Sequence, residues 1–333
     1  MKIAFFELEG WEEDVIKKNL PSGNEYFFSK EILRSENIDK VKDFDIISTF
    51  INSPIKKEQF DKLPNLKLIA TRSTGFDHFD LAEAKKRNIV ISNVPYYGEN
   101  TVAEQAFALL LSLSRRIVEC VDKTRAGNFS YEGLRGFDLS GKTIGIIGTG
   151  NIGKHACRMA KGFDLKIIAF DAFPNKELAQ KYDFQYVDLD TLFAQSDIIS
   201  IHVPLIPQTK HLINLNNYKK IKKGCILINT ARGGIVETEA LFRAIDEGYI
   251  AGAGLDVIEE EATLKDELEV IRKGQGVDWH QAFEGHALLH HPKVLVTPHN
   301  AFNTVEAVNR ILTTSLDNIK SFQEGKPQNN VVK

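Results

Sequence analysis

The sequence has little of several features that mark particular classes of protein. Its three cysteines, at positions 120, 157 and 225 of 333 residues, are odd in number and far apart. They indicate neither a disulfide framework nor a metal cluster, and they fit the reducing cytoplasm. The net charge is only −3, so no broad basic field is offered to nucleic acid. The N-terminal apolar run, Ile3–Phe6, is too short for a signal peptide or a membrane span, and we expect no membrane partner.

What the chain does have is the composition and patterning of an α/β protein. Apolar residues make up 43% and charged residues 26% of the chain, and its length suffices for two domains. Short apolar runs alternate with helical patterns, as is typical of parallel strands covered on both faces. The predicted strands are Lys2–Phe6, Asp45–Phe50, Leu66–Thr71, Ile89–Ser92, Thr143–Ile147, Lys166–Phe170, Ile198–His202, Ile226–Asn229, Ala253–Val257 and Val294–Thr297. The helical patterns include Thr101–Val121, Thr238–Gly248 and about Thr304–Gln323. We predict doubly wound parallel sheets.

A glycine motif follows the strand Thr143–Ile147. It reads Gly148-Thr149-Gly150-Asn151-Ile152-Gly153, and a helical pattern continues to about Lys161. In such a unit the first glycine permits a tight turn, the second lets the backbone approach a pyrophosphate, and the third lets the helix pack on the strand. The helix N-terminus then offers N–H groups to the phosphates. The pattern predicts a dinucleotide site.

An acid at the end of the next strand specifies the dinucleotide. Asp171 lies 18 residues after Gly153 and directly follows the strand Lys166–Phe170. Its carboxylate would accept hydrogen bonds from ribose hydroxyls and repel a 2′-phosphate, and no arginine follows in residues 172–175. We therefore predict NAD rather than NADP. Glycines needed only for packing are the alternative, but they would not require an acid at this position.

The position of the glycine motif predicts two domains. An α/β pattern without a phosphate loop precedes it, and the final helix needs a surface to pack on. We predict a discontinuous substrate domain, residues 1–98 and 300–333, and an inserted nucleotide domain, residues 99–299. A substrate is then expected in the cleft between the two domains.

Three segments that follow predicted strands carry residues able to do chemistry. Arg232 lies in Asn229–Gly234, and a guanidinium can bind a carboxylate through two parallel hydrogen bonds. Three glutamates end the segment Leu255–Glu261. His299, in Val296–Asn300, is a candidate proton donor near neutral pH. Each alone has a plainer interpretation: a surface arginine, a solvated acidic turn, or a histidine that caps a strand. Their common position at strand ends favours an active site.

These motifs together resemble those of the D-isomer-specific 2-hydroxyacid dehydrogenase family over nearly the full length. The matching stretches are Gly148–Gly153 with Asp171, His202-Val203-Pro204, Asn229–Gly234, Leu255–Glu261 and Thr297–Phe302. Arg72–Asp77, Asn93–Tyr97 and Phe302 make the chain most similar to the D-lactate dehydrogenase branch. The resemblance implies a Rossmann nucleotide domain inserted in a flavodoxin-like substrate domain, and a homodimer formed through the nucleotide domain, with the helix from Thr101 crossing to the partner.

The resemblance also implies roles for single residues. Arg232 would bind the substrate carboxylate and polarise the keto group, and His299 would protonate the keto oxygen. Glu261 would hydrogen-bond His299 and favour its protonated form. It is chosen among the three glutamates because the family's acid lies five residues after the aspartate that matches Asp256. Backbone N–H groups of Thr74 and Gly75 would hold the substrate carboxylate. The remaining implied positions are Tyr97 and Phe302 for substrate, and Gly148, Gly150, Asn151, Ile152, Gly153, Asp171, His202, Val203, Pro204, Thr230, Ala231 and Asp256 for NAD.

The chain departs from the D-lactate branch in two places. Asp-Val-Ile-Glu-Glu-Glu, residues 256–261, stands where the branch has Asp-Val-aromatic-Glu-Gly-Glu. The segment 262–291 matches only in rough length. It holds His280, His286, His290 and His291, yet without metal-ligand spacing, so we expect a solvated insertion and no metal.

The function that the resemblance favours is NAD-dependent reduction of pyruvate to D-lactate. Another 2-keto acid remains an alternative: hydroxypyruvate, glyoxylate, a longer acid, or the substrate of a phosphoglycerate dehydrogenase. Formate oxidation is disfavoured, since that branch has glutamine where Glu261 stands. An NAD-sensing protein like the family's transcriptional corepressors is the alternative from another class, and the presence of Arg232, Glu261 and His299 argues against it.

Overall fold

A computed structural model describes residues 1–20, 22–259 and 286–332. The chain forms two compact units: Met1–Tyr97 with Asn303–Lys333, and Gly98–Phe302. Among these residues each unit contains one fully parallel sheet, of five strands in the first unit and seven in the second. The predicted α/β class with doubly wound parallel sheets is confirmed. Within the described residues, no helix is both long enough and apolar enough to cross a membrane.

The strands of the first unit are β1 (Lys2–Phe5), β2 (Glu25–Phe28), β3 (Ile46–Thr49), β4 (Leu68–Thr71) and β5 (Val90–Ser92). They form a sheet of order β2-β1-β3-β4-β5. The unit's helices are α1 (Gly10–Asn19), α2 (Lys57–Asp61), α3 (Leu81–Lys86) and the C-terminal Val305–Gln323, with a 3₁₀ turn at Ile38–Val41.

The strands of the second unit are β6 (Thr143–Ile147), β7 (Lys166–Phe170), β8 (Gln185–Tyr186), β9 (Ile198–Ile201), β10 (Cys225–Asn229), β11 (Ile250–Leu255) and β12 (Val294–Val296). They form a sheet of order β12-β11-β10-β9-β6-β7-β8. The unit's helices are α4 (Glu99–Arg115), α5 (Ile117–Arg125), α6 (Gly153–Gly162), α7 (Lys176–Tyr182), α8 (Leu189–Gln195) and α9 (Thr238–Asp246), with 3₁₀ turns at Tyr218–Lys220 and Gly233–Ile235. The C-terminal helix of the first unit is accordingly α10.

The strands form where apolar residues run without interruption. All four residues of β9 and all five of β10 are buried, as expected of central strands covered on both faces. The chain leaves β6 towards β7 and β8 on one side and later returns to β9 on the other. The point between β6 and β9 is therefore the topological switch point, where a crevice opens at the carboxyl ends of the strands.

The structure differs from the prediction at two strands and one helix. The strands β2 and β8 were not predicted, since both lie at sheet edges and each is short and only partly buried. The helix predicted at Thr101–Val121 is two helices, which separate at Arg116 with φ of +51°. The predicted final helix agrees closely, and the Thr304 hydroxyl caps it by accepting from the Ala307 N–H.

Candidate active site

The glycine motif forms the turn between β6 and α6. Gly148 has φ of +90°, and a Cβ there would lie 2.7 Å from the carbonyl oxygen of His202. A Cβ on Gly153 would lie 1.9 Å from the carbonyl oxygen of Gly148, so both positions exclude a side chain. A Cβ on Gly150, in contrast, would meet no described atom within 4 Å. The turn is thus packed on the protein side and bare at Gly150, at the start of a helix, as a pyrophosphate requires.

Asp171 ties the end of β7 to this turn. Its Oδ2 accepts from the backbone N–H of Thr149 at 2.6 Å and from the Thr149 hydroxyl at 3.0 Å. Its Oδ1 accepts from the N–H of Phe173 at 2.8 Å. The Thr149 hydroxyl also lies 2.8 Å from the phenol oxygen of Tyr186 on β8. The carboxylate is therefore fixed at the carboxyl edge of the sheet beside the glycine turn.

Two polar side chains at the carboxyl ends of β9 and β10 retain unused hydrogen-bonding atoms. His202, directly after β9, places Nε2 2.9 Å from the hydroxyl of Ser200, while its buried Nδ1 has no partner among the described residues. Burial lowers the pKa of His202 to about 4, so the ring is neutral near pH 7. The buried hydroxyl of Thr230, after β10, likewise lacks a partner in the described part of the chain. Buried polar atoms normally find partners, and a bound ligand would supply them here.

Arg232 lies in a turn that Asn229 organises. The Asn229 side chain, 1% exposed, accepts from the N–H of Ala231 at 3.0 Å and donates to the carbonyl of Arg232 at 2.9 Å. Arg232 is partly buried, and its Nη1 donates to the carbonyl of Ala231 at 2.8 Å. Gly233 is packed so closely that a Cβ there would lie 2.1 Å from the carbonyl of Ile258. The backbone around the arginine is thus held by neighbours on both sides.

His299 lies in a loop that Asp256 holds. Asp256 follows β11, is 1% exposed, and accepts from the Thr297 hydroxyl at 2.5 Å and from the N–H groups of Asn300 at 3.1 Å and Ala301 at 2.8 Å. Burial raises the pKa of Asp256, and these hydrogen bonds and a charge on His299 oppose that effect. His299 itself has φ of +53°, a conformation that non-glycine residues seldom adopt. The carboxylate therefore holds the Thr297 side chain before the histidine and the backbone after it.

In the first unit the predicted substrate residues follow β4 and β5. The Thr74 hydroxyl donates to the carbonyl of Val94 at 2.7 Å, and the Asn93 side chain donates to the Thr74 carbonyl at 2.8 Å. The Ser73 hydroxyl donates to the carbonyl of Gly75 at 2.7 Å. The carbonyl of Tyr97 accepts from Arg310 on α10 at 2.7 Å. These bonds fix the loops while leaving the Thr74 side chain exposed.

Arg72 has a different environment from the one its charge suggests. It is 2% exposed, and its Nη2 donates to the carbonyls of Phe6 at 2.7 Å and Glu7 at 2.8 Å. Its Nη1 donates to the Ser48 hydroxyl at 3.2 Å. The guanidinium thus joins the ends of β1, β3 and β4, and burial lowers its pKa.

Of the three glutamates after β11, the structure describes only Glu259. Glu261, the predicted partner of His299, lies outside the described residues, as do Glu260 and the part of the 262–291 segment that includes His280. Glu259 is described, and the solvated acidic turn considered above is wrong for it: its side chain is 16% exposed and bonded to His211 and Thr238. No spacing in the sequence indicates that contact, because its members are 48 and 21 residues apart. The described residues contain no group of three or more metal-binding side chains.

Comparison with known proteins identifies the family of this chain. The family model described as "D-isomer specific 2-hydroxyacid dehydrogenase, NAD binding domain" matches residues 107–301. The chain belongs to the D-isomer-specific 2-hydroxyacid dehydrogenases. It is an oxidoreductase, and NAD is its cofactor.

Relatives of known structure or activity cover almost the entire chain. The D-lactate dehydrogenase of Escherichia coli is 34% identical over 98% of both chains, and the glyoxylate reductase of Thermococcus litoralis is 38% identical over 86% of this chain and 85% of its own. The structure of D-lactate dehydrogenase from Aquifex aeolicus, complexed with NAD and lactic acid, superimposes with a TM-score of 0.88 at 32% identity, over 99% of both chains. Family membership thus holds for both units of this dehydrogenase.

The residues of the second unit fit NAD. The bare Gly150, the N-terminus of α6, the Asp171 carboxylate and the unused atoms of His202 and Thr230 offer donors and acceptors along one edge of the sheet. When bound, the nicotinamide supplies or accepts a hydride. The protein's own part is to hold the cofactor, orient the substrate and move a proton.

Proposed function

We propose that this dehydrogenase reduces a small 2-keto acid to the D-2-hydroxy acid, with pyruvate as the preferred substrate and D-lactate as the product. The observation that carries the proposal is the common placement of Arg232 and His299. Arg232 comes three residues after β10 ends, and His299 three residues after β12 ends, on the same sheet edge as the glycine turn.

Each of these residues supplies one chemical need of keto-acid reduction. The planar guanidinium of Arg232 would bind the substrate carboxylate and draw electron density from the keto oxygen. His299, in its protonated form, would donate a proton to that oxygen as it becomes a hydroxyl. Glu261 is proposed to stabilise the protonated histidine.

The other predicted positions complete the proposal. Thr74 and Gly75 are proposed to contact the substrate carboxylate through backbone N–H groups, and Tyr97 and Phe302 to limit the size of its side chain. In the second unit, Val203, Pro204 and Ala231 are proposed to contact NAD together with the residues of the glycine turn.

The environment of Arg72 supports a substrate without a second anionic group. Its guanidinium is committed to the carbonyls of Phe6 and Glu7 and to Ser48, inside the first unit. A phosphate or second carboxylate on the substrate would gain little from a cation buried in this way. The relatives from Escherichia coli and Aquifex aeolicus, both named D-lactate dehydrogenases, support the same choice.

A panel of keto acids tests the proposal. Oxidation of NADH would be followed with pyruvate, glyoxylate, hydroxypyruvate, 2-ketoisocaproate, oxaloacetate and phosphohydroxypyruvate, and the product of pyruvate would be assayed for the D-isomer. The highest kcat/KM is expected with pyruvate. A preference for glyoxylate, as the name of the Thermococcus litoralis relative suggests, would overturn the lactate assignment. A preference for oxaloacetate or phosphohydroxypyruvate would also overturn the inference from Arg72.

A further inference from the structure

A chain of contacts in the second unit links the turn that carries Arg232 to the segment after β11. His211 places its ring Nε2 2.7 Å from Oε1 of Glu259. The other carboxylate oxygen of Glu259 accepts from the backbone N–H of Thr238 at 2.9 Å and from its hydroxyl at 2.7 Å. Both carboxylate oxygens of Glu259 are therefore committed, one to His211 and one to the first residue of α9.

His211 also contacts the arginine turn through its backbone. Its N–H donates to the carbonyl of Gly234 at 2.9 Å, two residues after Arg232. Its φ is +50°, a left-handed conformation that non-glycine residues adopt only at a cost. This conformation lets one residue bond Gly234 with its backbone while its ring bonds Glu259.

The two segments joined in this way also touch directly. Gly233 packs against the peptide between Ile258 and Glu259, where a Cβ would come within 2.1 Å of the Ile258 carbonyl and 2.5 Å of the Glu259 nitrogen. A contact this close is sensitive to small displacements, since the interior does not deform without cost. Movement of Glu259 would be transmitted to Gly233 and so to the residue before it.

We propose that His211 and Glu259 are positioning residues for substrate binding, which hold the Arg232–Gly234 turn in place. The pair does not touch the substrate; it acts through the backbone of the turn. This inference rests on the proposed role of Arg232 in binding the substrate carboxylate.

Matched substitutions separate the hydrogen bond from the shape of the side chain. His211→Gln keeps a nitrogen donor near the position of Nε2, whereas His211→Met keeps similar length without it. Glu259→Gln retains an oxygen for Thr238, and a neutral His211 can change tautomer to accept from the amide. Glu259→Met removes both acceptors. Because each Met replaces its Gln counterpart at similar length, the difference within a pair reports the polar contact.

The kinetic result should distinguish positioning from stability. Because each Met variant loses a hydrogen bond to a carboxylate, kcat/KM for pyruvate should fall by about tenfold or more in both. The KM for pyruvate should rise, while the Kd for NADH, measured by fluorescence titration, should stay within about twofold of wild type. The Gln variants should recover most of the loss. Equal kinetics for Gln and Met, or wild-type KM in both Met variants, would overturn the proposal.

Hydrogen exchange gives a readout that does not depend on turnover. Amides of residues 233–238 should exchange faster in the Met variants than in wild type or the Gln variants, with β6 and β7 unchanged. Glu247→Met is the matched control, because it removes an acceptor 2.8 Å from the Tyr218 hydroxyl elsewhere in the same unit. It should leave both the exchange of residues 233–238 and the KM for pyruvate unchanged. If the amides of residues 233–238 exchanged at the wild-type rate in His211→Met and Glu259→Met, the pair would not hold the Arg232–Gly234 turn, and the proposal would be wrong.

The two proposals can fail separately. Wild-type enzyme inactive with every keto acid of the panel would overturn the proposed function, and the exchange rates would still decide whether the pair holds the turn. Active wild-type enzyme with unaffected Met variants would overturn the positioning role alone.

Discussion

The hydroxyl of Thr297 donates to Oδ1 of Asp256 across 2.5 Å, and this bond joins the ends of two neighbouring parallel strands, β11 and β12. Asp256 further accepts from the N–H groups of Asn300 and Ala301, so the loop that contains His299 is held at three points by one buried carboxylate. The expectation that Asp256 contacts NAD stays a prediction. The structure adds a role that does not require the cofactor, which is to support the histidine loop.

Thr297→Val should weaken this support while leaving the shape of the side chain nearly unchanged. Loss of a hydrogen bond to a carboxylate costs about 1.5–3 kcal/mol, and the proton donor would be placed less precisely. We expect kcat for pyruvate to fall by about tenfold, with little change in the Kd for NADH. Thr297→Ser retains the hydroxyl and should keep most of the activity. A Val variant as active as the Ser variant would show that the bond does not position His299.

Arg232→Lys keeps the positive charge but loses the planar pair of donors. If Arg232 both binds the carboxylate and polarises the keto group, kcat/KM for pyruvate should fall by about a hundredfold or more, because two charge-assisted bonds become one. NADH affinity, measured by fluorescence titration, should change little. Near-wild-type turnover of the lysine variant would contradict the proposed role.

Asp171 should set a strong preference for NADH over NADPH, because a 2′-phosphate would lie against a carboxylate. Asp171→Ala should narrow that preference, mainly by weakening NADH binding. Since Thr149 donates two hydrogen bonds to this carboxylate, part of the loss could come from the glycine turn. Thr149→Val removes the hydroxyl alone and serves as the control; it should keep the NADH preference measured by kcat/KM. Equal use of both cofactors by wild type would refute the assignment to Asp171.

The parts of the fold that sequence predicts well are those set by local patterns. β6 and β7 have the predicted bounds, because uninterrupted apolar residues end at Gly148 and Asp171. β2 was missed because an edge strand buries too little surface to require a continuous apolar run. The break at Arg116 was missed for a different reason: nothing in an apolar helical pattern indicates a left-handed residue.

In the candidate site, sequence motifs and their spacing indicate which residues follow each strand. They do not indicate which contacts hold those residues in place. The predicted Arg232 and His299 follow β10 and β12, as the alternating pattern requires. The Asn229 side chain, the Asp256 contacts and the pairing of His211 with Glu259 depend on segments distant in sequence. A charged residue in the sequence also does not show where its charge is used, since the Arg72 guanidinium donates to two backbone carbonyls inside the first unit.

Glu261→Gln should change the pH dependence of pyruvate reduction. An anion beside a cationic proton donor makes that donor harder to deprotonate, so its removal should shift the falling limb of kcat/KM to lower pH. The rate at low pH should be less affected than the rate near neutrality. Glu260→Gln is the matched control from the adjacent position and should not change the pH at which kcat/KM for pyruvate falls. A shift in Glu260→Gln with none in Glu261→Gln would show that the wrong glutamate was assigned.

His202 should make the protein less stable in acid. Its pKa is lowered by burial from 6.5 to about 4, so between these values the unfolded chain binds a proton that the folded chain does not. The free energy of unfolding should therefore decrease as the pH falls below 6.5, by no more than about 3 kcal/mol at pH 4 from this group. His202→Gln keeps a nitrogen near Ser200 but does not titrate, and should lack this part of the decrease. Urea unfolding at pH 7 and pH 4.5 measures the free energy of unfolding of both proteins. If it decreased equally in wild type and in the Gln variant, His202 would not be protected from protonation in the folded state.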